Sequence, residues 1–199
     1  MRLSIRQYGD PALRTKGQRI NRVDRRIRDL AANMLETMHA VNGVGLAAQQ
    51  VGQALQLTVI DVAEVEDRPS TLKINGEATG VEEAMPLILV NPEITLGAEI
   101  TIGIEGCLSF PEINGEIDRS ESVVVCAETL DGVAITLEAT GLLARALQHE
   151  VDHLNGILFI DRMSSALKVS LSSKLKRLQK ETQKGQGQNK PSRVGQSAL

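Results

Sequence analysis

A chain of 199 residues with 42% hydrophobic and 24% charged residues has room for one core, and its composition is that of an ordinary globular protein. No run of 18 apolar residues is present, and MRLSIRQYGDPALR lacks the apolar stretch of a secretory signal, so a cytoplasmic location is expected. The net charge of −3 is divided unevenly: residues 168–199 carry +7 and residues 1–167 carry −10, which reserves any polyanionic partner for the tail.

With 2% aromatic residues the core must be aliphatic. The first predicted element is a helix over 24–41, where Ile27, Leu30, Ala31, Met34, Leu35, Met38 and Val41 fall on one face and Asn42-Gly43 supplies the stop. The glycine- and alanine-rich GVGLAAQQVG at 43–52 leads into LQLTVIDV at 55–62, which reads as a buried strand. Residues 62–85 read as a polar excursion. PLILVNPEIT at 86–95 is another strand, and strands over 122–130 and 133–139 flank Asp131-Gly132, a two-residue hairpin signal. Helical spacing returns over 141–155, with Gly156 placed to end it. Leu167, Leu171, Leu175 and Leu178, interleaved with Lys168, Lys174, Lys176, Arg177 and Lys180, predict a basic amphipathic helix over 166–184. The remainder, GQGQNKPSRVGQSAL at 185–199, has a disordered composition.

Within the late helix, QHEVDH at 148–153 stacks His149 and His153 one turn apart on one face, the spacing of a metal clamp. Leu142 and Ala146 share their stripe, and Leu143, Leu147, Val151 and Leu154 form the next one. Arg145, Gln148, Asp152 and Asn155 fall on the opposite, polar side. Two inward-facing imidazoles need partners for their nitrogens, and coordination provides them. Glu150 lies close enough to act on water at such a metal.

A catalytic site needs a third protein ligand. His39, the remaining histidine, lies beside the apolar face of the first helix and reads as half-buried. Phe159 stands where metzincin proteases place a third histidine, and the sole downstream glutamate, Glu181, sits in the basic tail. Cys126, inside SVVVCAETL, reads as a small core hydrophobe. Cys107 in EGCLSFP is left, with Gly106 beside it to permit a close backbone approach.

Taken together, GVGLAAQQ at 43–50, EGCLS at 105–109 and QHEVDH at 148–153 resemble, in order, the three signature motifs of peptide deformylase. YGDPALR at 8–14 and HLNGILFIDRMS at 153–164 extend the likeness over most of residues 1–165. The resemblance implies an α+β catalytic domain over 1–165, with antiparallel or mixed strands around the HEVDH helix, an N-terminal helix and a C-terminal helix. It implies removal of formate from the N-formyl-methionine of new polypeptides, with Cys107, His149 and His153 as metal ligands and Glu150 as acid/base. Gln50 and the Leu108 N–H would donate to the oxyanion. Gly43 and Gly45 would let the chain pass close to the substrate, and Val44, Leu142, the stem of Arg145 and Ala146 would seat the methionine side chain.

The ligand set suits one divalent ion, zinc, nickel, cobalt or ferrous iron, and the resemblance implies ferrous iron. The polar segment between Ala63 and Met85 departs from the compact family pattern. Ribosomal RNA is the expected partner of the tail. Two other readings compete: a zinc peptidase cutting internal bonds, and a nucleic-acid-binding module with a structural zinc.

Overall fold

The computed structural model describes residues 1–65 and 67–188; of the expected tail at 185–199, everything after Gln188 lies outside the described residues. After a one-turn helix at Pro11–Arg14 comes α1 (Arg25–His39), capped by Asp24, whose carboxylate accepts from the Ile27 N–H at 3.0 Å. Then follow β1 (Gly45–Ala47), a helical turn at Ala48–Val51 and β2 (Leu57–Ile60). The expected polar excursion contains β3 (Leu72–Ile74), β4 (Glu77–Thr79) and the short α2 (Val81–Ala84). Next are β5 (Leu87–Leu96), β6 (Ile100–Gly106), β7 (Asn114–Ser120), β8 (Ser122–Glu128) and β9 (Ala134–Thr140). The chain continues through α3 (Gly141–Leu154), α4 (Phe159–Arg162) and α5 (Ser165–Gln188).

Seven strands form one antiparallel sheet in the order β1-β2-β5-β8-β9-β3-β4, and β6 pairs with β7 in a separate ladder. The architecture is α+β, with helices at both ends of the chain. The strands of 62–85 are an addition to the sheet edge: β3 pairs with β9, and Asn75-Gly76, both at positive φ, turns β3 into β4. The β6–β7 ladder was not foreseen either, because Gly103 and the charged residues of β7 obscure the alternation.

At the β8–β9 turn the Gly132 N–H bonds to the Thr129 carbonyl, and Thr129 N–H to that of Val133, so the loop is three residues long. Gly132 alone is left-handed there and Asp131 is not, so the turn is not the two-residue type that Asp-Gly signals.

α3 crosses the large sheet and also touches β7. It is buried from Leu142 to Leu154, so the side expected to be polar is interior as well; of its four residues only Asn155, past the end, is exposed. One core cluster joins Leu143 and Leu147 of α3 to Leu89, Val125 and Leu137 of the sheet, and a second joins Met34 and Met38 of α1 to Leu46 and Leu57. Both are aliphatic. The chain's three Phe and Tyr residues gather in a third cluster. There Tyr8 stacks on Phe110 at 4.8 Å and Phe110 meets Phe159 edge-on at 5.0 Å. Leu167, Leu171, Leu175 and Leu178 of α5 pack against this cluster. No helix among the described residues is long and apolar enough to cross a membrane.

Candidate metal centre

α3 owes its depth to its sequence: leucines and alanines fill two sides, and its polar residues find partners in the β6–β7 hairpin. Gln148 donates to the Ser120 carbonyl at 2.8 Å and accepts from its N–H at 3.0 Å, docking the helix on the end of β7. One turn along, His149 and His153 lie with ring centroids 4.9 Å apart. The loop after β6 brings Cys107 up to them, with its sulfur 3.3 Å from His153 Nε2. Among the described residues, these are the three side chains grouped to hold a metal, their ligand atoms all within 4.8 Å of one another.

The donor chemistry fits a cation. His149 Nδ1 lies 3.0 Å from Glu105 Oε2, which leaves Nε2 as its available nitrogen, the arrangement by which a carboxylate orients a metal-binding imidazole. Glu105, at the end of β6, is buried and held from several sides. Arg119 of β7 donates to both its oxygens at 2.9 and 3.0 Å, and Arg145 of α3 donates to one at 2.9 Å. Burial would raise the Glu105 pKa, but the bonds from His149 and Arg119 outweigh it and hold the carboxyl at about 2. Arg119 also pairs with Asp152, which binds Arg162 of α4. Burial opposes charge on His149, yet Cys107 and Glu105 hold its pKa well above the ordinary value; burial and the charge of His149 keep His153 well below.

Glu150 is buried, and its Oε2 has no partner. Burial is the main cause that raises its pKa to about 7. The carboxylate lies against Gly45: a Cβ there would stand 2.3 Å from Glu150 Oε1. The space that Gly45 leaves open is thus taken by Glu150. A Cβ at Gly43 would stand 2.8 Å from the Leu108 side chain and 3.2 Å from that of Met38, so both glycines are explained by the chain's own packing. Gly106 faces open space, so the close approach expected of it does not occur.

Gln50 is also buried. Its Oε1 accepts from the Ala47 N–H at 2.8 Å, which turns Nε2 toward Cys107 Sγ at 3.5 Å and Ser109 Oγ at 3.4 Å. The Leu108 carbonyl accepts from Gln7, and its N–H has no hydrogen-bond partner among the described residues. A cleft of about 520 Å³ opens over these groups. Gly43, Val44 and Gly45 form one wall, and Leu142, Arg145 and Ala146 of α3 another. Gln50, Cys107, Leu108, His149 and Glu150 also line it, whereas His153 lies behind. Arg145 reaches past the cleft, its guanidinium donating at 2.9 Å to the carbonyls of Ile117 and Thr101.

One expectation about the spare candidate ligands fails here. Cys126 is exposed, because β8 alternates and turns Val123, Val125 and Ala127 to the core instead. His39 ends α1 2.9 Å from Asp61 with half of its side chain exposed. Sequence reasoning also assigned nothing to Glu105 and Arg119; a glutamate two residues before a candidate cysteine ligand was the one available signal.

Fold and cleft together define a metal-dependent hydrolase with its HExxH helix at the centre of an α+β domain. The Polypeptide deformylase family profile matches residues 2–169. A peptide deformylase of Opitutus terrae is 44% identical over 92% of this chain and 95% of its own, and one of Methylacidiphilum infernorum is 44% identical over 90% and 94%. The structure of Arabidopsis thaliana peptide deformylase 1B in complex with an inhibitor superposes with a TM-score of 0.80 at 35% identity, covering 96% of this chain and 98% of that one. The chain belongs to the polypeptide deformylase family, which sets aside the peptidase and the structural-zinc readings.

Proposed function

We propose that this deformylase works with a divalent cation on Cys107, His149 and His153, a proton shuttle at Glu150, and Gln50 and the Leu108 N–H as donors to the carbonyl oxygen. Its reaction is hydrolysis of the formyl amide at the N-terminal formyl-methionine of newly synthesised proteins, with release of formate. The observation that carries the reading is Glu150: a buried, unpartnered carboxylate with a pKa of about 7, within the cleft and one residue from a histidine of the trio.

When bound, the cation supplies Lewis acidity toward the formyl carbonyl and toward water. Glu150 takes a proton from the attacking water and delivers it to the departing amine nitrogen; a carboxyl titrating near neutrality can do both. Gln50, fixed through its own carbonyl, offers Nε2 to the oxygen on which charge develops, and the Leu108 N–H offers a second donor. Val44, Leu142, Ala146 and the stem of Arg145 seat the methionine side chain, with Gly43 and Gly45 along the same wall. Ferrous iron is the proposed ion in the cell, although zinc, nickel and cobalt suit the same two nitrogens and one sulfur.

Residues 1–165 would then be the catalytic unit, followed from residue 166 by a basic amphipathic helix, in a cytoplasmic protein. The basic face of the helix meets ribosomal RNA, where formylated chains emerge.

Glu150→Gln tests the mechanism. The variant should retain its metal, measured by elemental analysis after anaerobic purification, but release formate from formyl-Met-Ala about 10²-fold more slowly or worse. Near-normal turnover would sink the assignment.

A further inference from the structure

β6 carries an apolar row that no other element among the described residues covers. Ile100, Ile102 and Ile104 are 60%, 69% and 64% exposed. Being alternate residues of one strand, they project from the same face, while Thr101 and Glu105 between them engage Arg145. Register places Ser120, Asp118 and Glu116 of β7 opposite the three isoleucines. The outer face of the hairpin is therefore apolar along one strand and acidic along the other. Ile104 also lines the catalytic cleft, so the row runs continuously from the mouth of the site.

We propose that this row is a track for the part of the substrate polypeptide that follows its formyl-methionine. The inference rests on reading the cleft as the formyl-methionine site. A chain leaving the cleft at Ile104 and lying extended along β6 advances about 3.3 Å per residue, so the track engages roughly four residues beyond those held inside. Lying edge-on over the seam between β6 and β7, the chain turns alternate side chains to either strand: apolar ones rest on the isoleucines, and Lys or Arg residues between them face Glu116 and Asp118. Charge argues for this occupant over two others. A second copy would bring the same carboxylates against this face, and nucleic acid would bring phosphates to it.

The test compares formate release from formyl-Met-Ala with release from the same peptide extended by Leu-Lys-Leu-Lys or by Ser-Glu-Ser-Glu. The full-length enzyme is set against Ile100→Thr/Ile102→Thr, which keeps β-branched residues on the strand, and against Glu116→Gln/Asp118→Asn. The wild type should gain about tenfold in kcat/KM on the Leu-Lys extension, through KM, as expected for covering one or two aliphatic side chains. The isoleucine variant should lose that gain while turning over formyl-Met-Ala unchanged, and the acid-to-amide variant should lose the preference for Lys over Glu. An equal gain in wild type and isoleucine variant, or no gain in either, would overturn the track. So would a wild-type dimer in sedimentation that Ile100→Thr/Ile102→Thr dissociates. Failure of the wild type to act on formyl-Met-Ala at all would instead refute the reading of the cleft.

Discussion

Glu105 shows how much of the candidate metal centre is built by residues that are not themselves among its donors. Two arginines and a histidine converge on one carboxylate from two elements: Arg119 from β7, and Arg145 and His149 from successive turns of α3. A buried charge is tolerated only when paired in this way, and removing one partner leaves the others uncompensated. Glu105→Gln should therefore have two separable effects. Stability should fall by about 3–5 kcal/mol, the usual cost of breaking a buried pair, read from denaturant unfolding. Metal affinity should fall roughly 10–100-fold, read by chelator competition, because His149 loses the group that orients it. A variant with normal metal affinity would mean that Glu105 serves the fold alone. Gly45 belongs to the same scale. Glycine in a small-residue motif invites a substrate-centred explanation, but the atoms nearest its missing side chain are those of Glu150.

At the scale of elements, α5 has two faces with different duties. Its leucines close the cluster that holds Tyr8, Phe110 and Phe159, and a Cβ on Gly9 would stand 3.0 Å from the Gln179 carbonyl, so the helix lies tightly on the N-terminal segment. Of the five cations expected on its polar face, Lys168 turns back to donate to the Asp161 carbonyl at 3.0 Å, and Lys174, Lys176, Arg177 and Lys180 are exposed. Truncation after Ser165 thus removes apolar cover as well as charge, and should lower Tm. Changing the four exposed cations to Gln isolates the charge. That variant should keep the wild-type Tm and formate release but lose salt-sensitive cosedimentation with ribosomes, since each phosphate contact removed lowers the salt slope by about 0.7–0.9. Wild-type cosedimentation by the Gln variant at low salt would end the RNA proposal.

Across the whole molecule, the one-turn helix at Pro11–Arg14 and α4 are tied by a pair 147 residues apart in sequence: Arg14 donates to Asp161, with one bond at 3.0 Å, and the Leu158 N–H donates to the same carboxylate at 2.9 Å. Burial would raise the Asp161 pKa, but the bonds from Arg14 and Leu158 prevail and hold it below the ordinary aspartate value. A group whose pKa is lower folded than unfolded binds more protons in the unfolded chain between the two values. Its contribution is therefore complete above the ordinary value of about 3.9 and disappears as pH falls through the folded pKa. The side chain is 39% exposed, so solvent screening keeps the pair within the range of surface ion pairs. Asp161→Asn should lower Tm by about 2–4 °C at most at pH 7, and the difference should close at acid pH. A gap that persists unchanged at pH 2.5 would show that charge is not its source.

Much of this was written in local sequence. The spacing of His149 and His153 follows from the helical repeat alone, as do the amphipathic faces of α1 and α5, because periodicity is a property of neighbours along the chain. Asn75-Gly76 was equally local evidence for the β3–β4 hairpin, although the charged residues around it made the segment look like a loop. The polar side of α3 could not be read in this way: Arg145, Gln148 and Asp152 look like a solvated face until Glu105, Ser120 and Arg119 arrive from a hairpin that closes over them. The same holds for Cys126, whose apolar surroundings in sequence misstate its exposure, and for Gly45, whose neighbour Glu150 is 105 residues away. Sequence alone determined which residue types recur on which face. Only the tertiary structure decided which buried charges meet, since pairing in the interior depends on contacts that no local repeat encodes.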